Sequence, residues 1–334
     1  MTVAEQLSAL SAILAHRRIH SLFQPIVSLA GQRVIGYEAL SRGPSNSPLH
    51  SPLNLFAIAR QAGHLTELEA VCRENACRRF SEQNLEGKLF LNISPESLLE
   101  PHYPSGRTLK LLEQVGVAPG RVVIELTEQT PTDDFQLLST ALHHYRDMGF
   151  SIALDDLGAG YSSLRLWSEL RPEYVKIDRH FIDGIHLDPL KREFVGSILQ
   201  IAQASRAQVI AEGIELPEEL AVLSDMGVDL VQGYLLGRPQ EVAMRESPLL
   251  PMGEIDTQVT AQPRVGLDVT LGQMMALFGR CDGLDELEVL DAAGRPCGVI
   301  HRYALPAAAP SRTWPRQTTA GNLRLSRDNC TQTP

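Results

Sequence analysis

The stretch Phe23–Arg42, FQPIVSLAGQRVIGYEALSR, decides the fold. Two apolar runs, Phe23–Leu29 and Val34–Leu40, flank the short polar connection Ala30-Gly31-Gln32-Arg33. Four residues that include Gly are too few for a crossover helix, so they predict an antiparallel hairpin. Beyond this hairpin, strand-like and helix-like segments alternate, which places the pair at the start of a longer α/β pattern.

The alternation extends over about 220 residues and predicts an α/β protein. The predicted strands are Phe23–Leu29, Val34–Leu40, Leu89–Ile93, Val122–Leu126, Ile152–Leu154, Tyr174–Ile177, Val209–Ala211 and Leu230–Leu236. The predicted helices are Leu53–Ala62, Leu65–Asn84, Thr108–Gly116, Asp133–Met148, Arg192–Ser205 and Pro217–Met226. The strands are apolar on both faces, and no G-x-G-x-x-G motif follows an early strand. We therefore expect a modified (β/α)8 barrel of the TIM type, with an antiparallel strand pair near its start.

The chain divides into five predicted segments. They are an N-terminal helix at 1–22, the barrel at 23–245, a linker at 246–268, a small α+β segment at 269–305 and a disordered tail at 306–334. Prolines mark the linker, and the tail is rich in Pro, Ala, Thr, Ser and Arg. Within the small segment we expect a helix at Thr270–Phe278 and a hairpin formed by Glu288–Leu290 and Cys297–His301.

The composition is that of an ordinary globular protein with an acidic balance. The 334 residues carry a net charge of −10, which argues against a nucleic-acid polymer as partner. No run approaches the ~20 apolar residues of a membrane span. Five cysteines without C-x-x-C spacing predict reduced thiols and hence a cytoplasmic location.

Residues that can hold a metal or meet a phosphate stand at or near the ends of seven predicted strands. They are Glu38, Asn92, Glu125, the pair Asp155 and Asp156, Lys176, Glu212 and Gln232. A parallel barrel brings the carboxyl ends of its strands onto one face, so we expect these side chains to converge. Five carboxylates and an amide would repel one another unless cations lay among them, and divalent cations prefer oxygen ligands. The pattern predicts a divalent-metal hydrolase.

The backbone limits the directions in which two pairs of side chains can point. Adjacent strand residues point to opposite sides, so Asp155 and Asp156 can both face the site only where the strand ends. In isolation, the same pair would be a solvated turn capped by aspartate. Lys176 and Asp178 share one side of a strand. At the barrel mouth Lys176 can orient a water or offset phosphate charge with Asp178 fixing it, whereas elsewhere they would form a surface pair.

The segment Tyr37–Pro44, YEALSRGP, resembles the signature of the EAL family, the cyclic-di-GMP phosphodiesterases. The resemblance continues in order over Phe23–Pro239. The other motifs are FQPIV at Phe23–Val27, LNIS at Leu91–Ser94, ELTE at Glu125–Glu128, DDLGAGYSSL at Asp155–Leu164, KID at Lys176–Asp178, AEGIE at Ala211–Glu215 and VQGY at Val231–Tyr234. Each motif alone is a weak signal, but the ordered set is specific.

The resemblance implies a set of site residues and two Mg²⁺ or Mn²⁺ ions per active site. The implied metal ligands are Glu38, Asn92, Glu125, Asp155, Asp156 and Glu212. The implied catalytic residues are Lys176, Glu212, Asp178 and Glu128, the last as support for the loop that begins at Asp155. The implied substrate-binding residues are Gln24, Arg42, Glu215 and Gln232. Whether Lys176, Glu212 or a metal alone removes the proton of the attacking water stays open.

The implied activity is hydrolysis of cyclic-di-GMP to linear pGpG, in which two ions ~3.5–4 Å apart stabilise an in-line displacement. The resemblance also implies a homodimer formed through the barrel side near Asp155–Leu164. The alternatives are a weak or inactive EAL domain that serves as a cyclic-di-GMP receptor, and an unrelated metal-dependent barrel phosphodiesterase. Leu157 and Ala159 depart from the Phe and Thr that are common in the family, and Ala159 lacks a hydroxyl that could tie the loop down. The segment Val289–Ile300 resembles part of a CBS module.

Overall fold

The computed structural model describes residues 2–99, 105–127, 135–157, 163–246, 264–266, 286–290 and 296–301. The chain forms two compact units, residues 1–252 and residues 253–334. Predictions that fall between the described ranges, among them the helix at Thr270–Phe278, the tail at 306–334 and the roles of Glu128 and Ala159, lie outside the described residues.

The first unit contains a closed barrel of eight strands, which confirms the predicted fold. The strands are β1 (His20–Ser28), β2 (Arg33–Arg42), β3 (Lys88–Ile93), β4 (Val122–Thr127), β5 (Ser151–Leu157), β6 (Tyr174–Ile177), β7 (Gln208–Ala211) and β8 (Leu230–Val231). The strands from β2 to β8 pair in parallel, whereas β1 is antiparallel to both β2 and β8. The predicted hairpin is therefore confirmed, and its first strand also closes the barrel.

Helices cover the outside of the barrel and connect its strands. They are α1 (Val3–His16), α2 (Pro52–Gln61), α3 (Leu65–Glu82), α4 (Pro95–Leu99), α5 (Ser105–Val115), α6 (Phe135–Asp147), α7 (Ser163–Leu170), α8 (Arg179–Ile182), α9 (Pro189–Ser205) and α10 (Pro217–Asp225). The helices α4, α7 and α8 were not predicted from the sequence. They are at most eight residues long, which is too short for a repeating helical pattern to stand out.

Three strand boundaries differ from the prediction by three residues or more, and one of them is the end of β5, at Leu157 instead of Leu154. β1 begins at His20, inside the segment predicted as the N-terminal helix, because α1 already ends at His16 with Arg17 in the left-handed conformation. β8 ends at Val231 instead of Leu236. The chain then turns back, and Gln240 forms a two-hydrogen-bond bridge with Phe23 of β1.

Alternation along the strands explains how the barrel interior is divided. An apolar cluster fills one end, and in six strands an apolar residue is followed two positions later by a predicted site residue. The six pairs are Phe90 and Asn92, Val123 and Glu125, Ala153 and Asp155, Tyr174 and Lys176, Ile210 and Glu212, and Leu230 and Gln232. Each site side chain therefore points into the barrel above a packed apolar layer, at the carboxyl end of its strand.

The second unit is described through three strands, β9 (Arg264–Gly266), β10 (Glu286–Leu290) and β11 (Pro296–His301). β10 and β11 are antiparallel, which confirms the predicted hairpin, and β9 pairs with β10 in parallel. β9 lies near the end of the range 246–268 that was predicted as a linker. Nowhere in the described part of the chain does a helix combine the length and apolar character that a membrane span needs.

Candidate active site

Lys176 stands at the centre of a ring of carboxylates at the barrel mouth. Its Nζ lies 3.1 Å from Glu38 Oε2, 2.9 Å from Glu125 Oε1, 3.2 Å from Asp155 Oδ1 and 2.6 Å from Glu212 Oε1. Lys176 is 1% exposed and Glu125 is fully buried. The structure thus brings together carboxylates from β2, β4, β5 and the residue after β7, which lie far apart in the sequence.

Four carboxylates around one ammonium leave an excess of negative charge in a buried space. Burial raises the pKa of Glu125 and of Glu212 well above the usual range, although the Lys176 ammonium opposes the rise. Burial also raises the pKa of Asp155. Burial alone would lower the pKa of Lys176, but the surrounding carboxylates raise it well above its ordinary value, so this side chain is an ammonium. Added cations would offset the remaining charge.

Glu38 is the acceptor that joins three sides of the mouth. Its Oε1 accepts from Asn92 Nδ2 at 3.0 Å, and its Oε2 accepts from Gln232 Nε2 at 2.8 Å as well as from Lys176. Burial favours a higher pKa for Glu38, but the Lys176 ammonium and these hydrogen bonds outweigh it and lower the pKa. Glu38 is therefore ionised and fixed in place.

A bulge near the end of β5 turns two neighbouring aspartates toward one site. The pairing of β5 with β6 shifts register between Leu154 and Leu157, and Asp156 adopts a left-handed conformation with φ of 54°. Asp155, Asp156 and Glu212 each offer an oxygen, and these oxygens lie within 4.8 Å of one another. Burial and the neighbouring Asp155 carboxylate raise the pKa of Asp156 to about 6. Leu157, which closes the bulge, is 2% exposed.

The donor set fits divalent cations. Both oxygens of Glu125, Oδ1 of Asp155 and Oε1 of Gln232 are buried without a hydrogen-bond donor in normal geometry, although Lys176 Nζ lies near the two carboxylates as an ion-pair partner. Buried oxygens of this kind are costly unless a cation or a donor meets them. Carboxylate and amide oxygens are also the ligands that Mg²⁺ and Mn²⁺ prefer.

The predicted substrate-binding residues lie in barrel strands or in the segments that follow them. Gln24 of β1 is the register partner of Glu38, is 8% exposed, and its Nε2 donates to Gly237 O at 3.1 Å. Arg42 ends β2 and donates to the neighbouring Ser41 carbonyl. Glu215 follows β7 and lies 2.9 Å from Arg179 Nη1. Gln232 reaches the cluster directly through Glu38.

Asp178 occupies a different position from the one we expected. β6 ends at Ile177, and the Asp178 carboxylate accepts from His180 N at 2.7 Å as the N-cap of α8. Among the described residues, the carboxylates within 4.0 Å of Lys176 Nζ are those of Glu38, Glu125, Asp155 and Glu212. The expected contact between Asp178 and Lys176 is therefore not formed, although the Asp178 carboxylate is near enough to Asp156 to help raise the pKa of Asp156.

Arg179 is a rim residue that the sequence analysis missed. Besides its ion pair with Glu215, it packs over Gly213, where an added Cβ would lie 2.4 Å from Arg179 Cγ. Gly213 also has a φ of 72°, so the turn after Glu212 requires glycine for two reasons. Arg179 stands directly after the Lys176–Asp178 motif in the sequence, and this position was the signal that could have identified it.

Comparison with known proteins places the chain in a family. The sequence model of the family described as the EAL domain matches residues 7–239. The cyclic di-GMP phosphodiesterase NbdA of Pseudomonas aeruginosa is 32% identical over 235 residues, which cover 67% of this chain and 29% of NbdA. The chain spans about a third or less of the length of such curated relatives.

Solved structures of similar chains contain cyclic-di-GMP, and one of the two described here also contains manganese. A manganese and cyclic-di-GMP complex of BlrP1 from Klebsiella pneumoniae is 31% identical with a TM-score of 0.62, covering 67% of this chain and 56% of BlrP1. A standalone versatile EAL protein from Vibrio cholerae O395 in its c-di-GMP-bound form is 27% identical with a TM-score of 0.62, covering 69% of this chain and 95% of that protein.

Proposed function

The chain belongs to the EAL domain family, and on that premise we propose that it hydrolyses cyclic-di-GMP to linear pGpG with the help of divalent metal ions. The observation that carries the proposal is the ring of four carboxylates around Lys176, three of them buried, which is more than one ammonium can offset. A phosphodiester is also negative, so a site built for it needs cations at this position.

We assign two ions, Mg²⁺ or Mn²⁺, to six residues of the mouth. The ligands are Glu38, Asn92, Glu125, Asp155, Asp156 and Glu212. The oxygens that support this assignment are the buried ones of Glu125 and Asp155 and the close set formed by Asp155, Asp156 and Glu212. When bound, such ions would lower the pKa of an attacking water and stabilise the charge on the phosphodiester oxygens.

The side chains around the ligands orient the reactants. Lys176 is held by several carboxylates, so its ammonium is in place to orient a water or to face a phosphate oxygen. Glu212 lies 2.6 Å from Lys176 Nζ and is close enough to share a proton with a water at that position. Glu128 keeps its proposed role as support for the loop after Asp155.

The groove around the metal site is assigned to the nucleotide. Arg42 is assigned to a phosphate or a guanine edge, which its guanidinium fork could bind with two hydrogen bonds. The amides of Gln24 and Gln232 are held by hydrogen bonds to Gly237 and Glu38, so their free edges have fixed directions. Glu215 is oriented by Arg179 and is assigned to the same groove.

The direct test is turnover by the purified full chain. The protein is incubated with cyclic-di-GMP and either Mg²⁺ or Mn²⁺, and the products are separated by chromatography. We expect pGpG with either ion and none in the presence of EDTA. Binding without product would support a receptor instead, and neither binding nor product from folded, metal-supplied protein would contradict the proposal.

We also assign the protein a homodimeric state and a cytoplasmic location. Apolar side chains on α7 and α9 are exposed: Leu164 by 60%, Leu190 by 63% and Phe194 by 49%. The two helices are neighbours, since Trp167 Nε1 donates to Ser205 Oγ. Sedimentation should give twice the monomer mass, and Phe194→Glu should reduce it to the monomer. A wild-type monomer at micromolar concentration would contradict the dimer.

The free, buried thiols of Cys72 and Cys77 support a reducing compartment.

A further inference from the structure

Helix α3 carries two buried charged residues that none of the recognised motifs contains. Glu69 is 4% exposed and Arg73 is 7% exposed. They are one helical turn apart, and Arg73 Nη1 lies 3.8 Å from Glu69 Oε2. Charged side chains are rarely buried to this extent without a partner that needs them. The partner of Glu69 lies across the helix–barrel boundary.

Glu69 binds the chain where it leaves β3. The backbone N–H of Ser94 donates to the Glu69 carboxylate, at 3.2 Å from Oε1 and 3.4 Å from Oε2. Ser94 in turn accepts from the backbone N–H of Ser97 at 3.3 Å, and both serines are buried. Glu69 therefore satisfies the first backbone donor after the strand and, through Ser94, the start of α4.

This contact occurs where β3 loses one of its neighbours. The pairing of β2 with β3 ends at Ala39 and Leu91, whereas the pairing of β3 with β4 continues through Asn92 to Ile93. Beyond Leu91, β3 has no backbone pairing with β2 that would hold this edge of the strand in place. Asn92 lies in this half-paired stretch, two residues before Ser94, and its amide still meets Glu38 at 3.0 Å.

We propose that Glu69 is a positioning residue for the metal site, resting on the function proposed above. By holding Ser94, it keeps the end of β3 in the place where the Asn92 amide donates to Glu38 and offers its oxygen to a divalent cation. Arg73 Nη1, 3.8 Å from Glu69 Oε2, offsets part of the cost of burying this carboxylate beside Ser94. Partners that orient metal ligands in this way contribute to metal affinity without touching the metal.

Two variants of equal length separate this role from a general effect on stability. Glu69→Met and Glu69→Gln both remove the charge beside Arg73, but only Gln keeps an oxygen for the Ser94 N–H. The readout is the apparent Kd for Mn²⁺ by calorimetry without substrate. We expect Glu69→Met to weaken Mn²⁺ binding about tenfold or more, and Glu69→Gln to restore most of the loss.

Glu173 provides a matched control at the opposite rim of the barrel. Its carboxylate accepts from the backbone N–H of Ile152 at 2.8 Å and pairs with Arg146 at 2.8 Å. Glu173→Met should lower thermal stability and leave Mn²⁺ affinity unchanged. Equal Mn²⁺ affinity in Glu69→Met and Glu69→Gln, or wild-type Mn²⁺ affinity in Glu69→Met, would contradict the proposed role of Glu69. Either result would leave the proposed function standing.

Two further results keep the inference separable from the proposed function. Wild-type protein that is folded and binds no Mn²⁺ would overturn both. If Glu69→Met does not fold, hydrogen exchange on the wild-type protein decides. The Ser94 amide should then be protected as strongly as the β3 amides, and exchange as fast as that of an exposed loop would overturn the inference.

Discussion

Asn92 Nδ2 donates to Glu38 Oε1 at 3.0 Å, although 54 residues separate them in the sequence. The bond orients both groups. It places the amide nitrogen of Asn92 on the carboxylate and leaves the amide oxygen available to a cation. Because Glu38 also accepts hydrogen bonds from Gln232 and Lys176, it connects β2 with β3, β6 and the residue after β8.

Replacement of Glu38 by alanine should abolish turnover and leave the fold intact. The variant loses one proposed ligand and the common acceptor of three donors, but no apolar packing, since Glu38 lies above the apolar layer of the barrel. We expect pGpG formation to fall about a hundredfold or more, measured by chromatography at saturating Mg²⁺. Circular dichroism should be unchanged. Turnover close to that of the wild type would remove Glu38 from the mechanism.

The fold and most of the site could be predicted because they depend on patterns with a short period. Alternation along each strand places Glu125 above Val123 and Lys176 above Tyr174, and parallel order brings the strand ends together. Asp156 was harder, because it faces the site only through a bulge and a left-handed backbone, which no apolar pattern records. Glu69 was out of reach, since a buried acid on an amphipathic helix has the same sequence appearance as an exposed one.

Replacement of Glu125 by glutamine should stabilise the metal-free protein while it removes activity. Burial raises the pKa of Glu125, so the folded state binds its proton more tightly than the unfolded state. Stability from this group is therefore present at low pH and is lost as the pH rises above the ordinary carboxylate range. The neutral amide avoids that loss. In EDTA, the free energy of unfolding should rise by about 1–3 kcal/mol, and more at pH 8 than at pH 6.

The same variant should respond less to metal. An ion that binds only the folded state stabilises that state. Mn²⁺ should therefore raise the Tm of the wild-type protein strongly and that of Glu125→Gln, which lacks one proposed ligand, weakly. Glu173→Gln, at the other rim, should keep the full response to Mn²⁺. A Glu125→Gln variant that is less stable than wild type in EDTA would show that the carboxylate excess does not destabilise the fold.

Replacement of Lys176 by methionine should destabilise the metal-free protein and make its stability depend on cations. Methionine fills a similar volume, but the carboxylates then lose their central ammonium. Loss of one member of a buried ion pair costs about 3–5 kcal/mol. Divalent ions supply positive charge at the same carboxylates, so Mn²⁺ should recover more stability in the variant than in the wild type. Denaturant unfolding in EDTA and in Mn²⁺ measures the free energy of unfolding of each protein. If Mn²⁺ stabilised the variant and the wild type equally, the ions would not replace the charge of Lys176.

Replacement of Arg42 by lysine should weaken substrate binding more than the chemical step. Arg42 lies at the end of β2, its visible hydrogen bond is to the neighbouring Ser41 carbonyl, and it is absent from the carboxylate ring. Lysine keeps the charge but loses the bidentate fork, so we expect KM to rise about tenfold with kcat changed less. Arg60→Lys is the matched control, since Arg60 forms an exposed ion pair with Glu96 on neighbouring helices and should leave both constants unchanged. A fall in kcat at constant KM would instead place the Arg42 guanidinium on charge that develops only in the transition state.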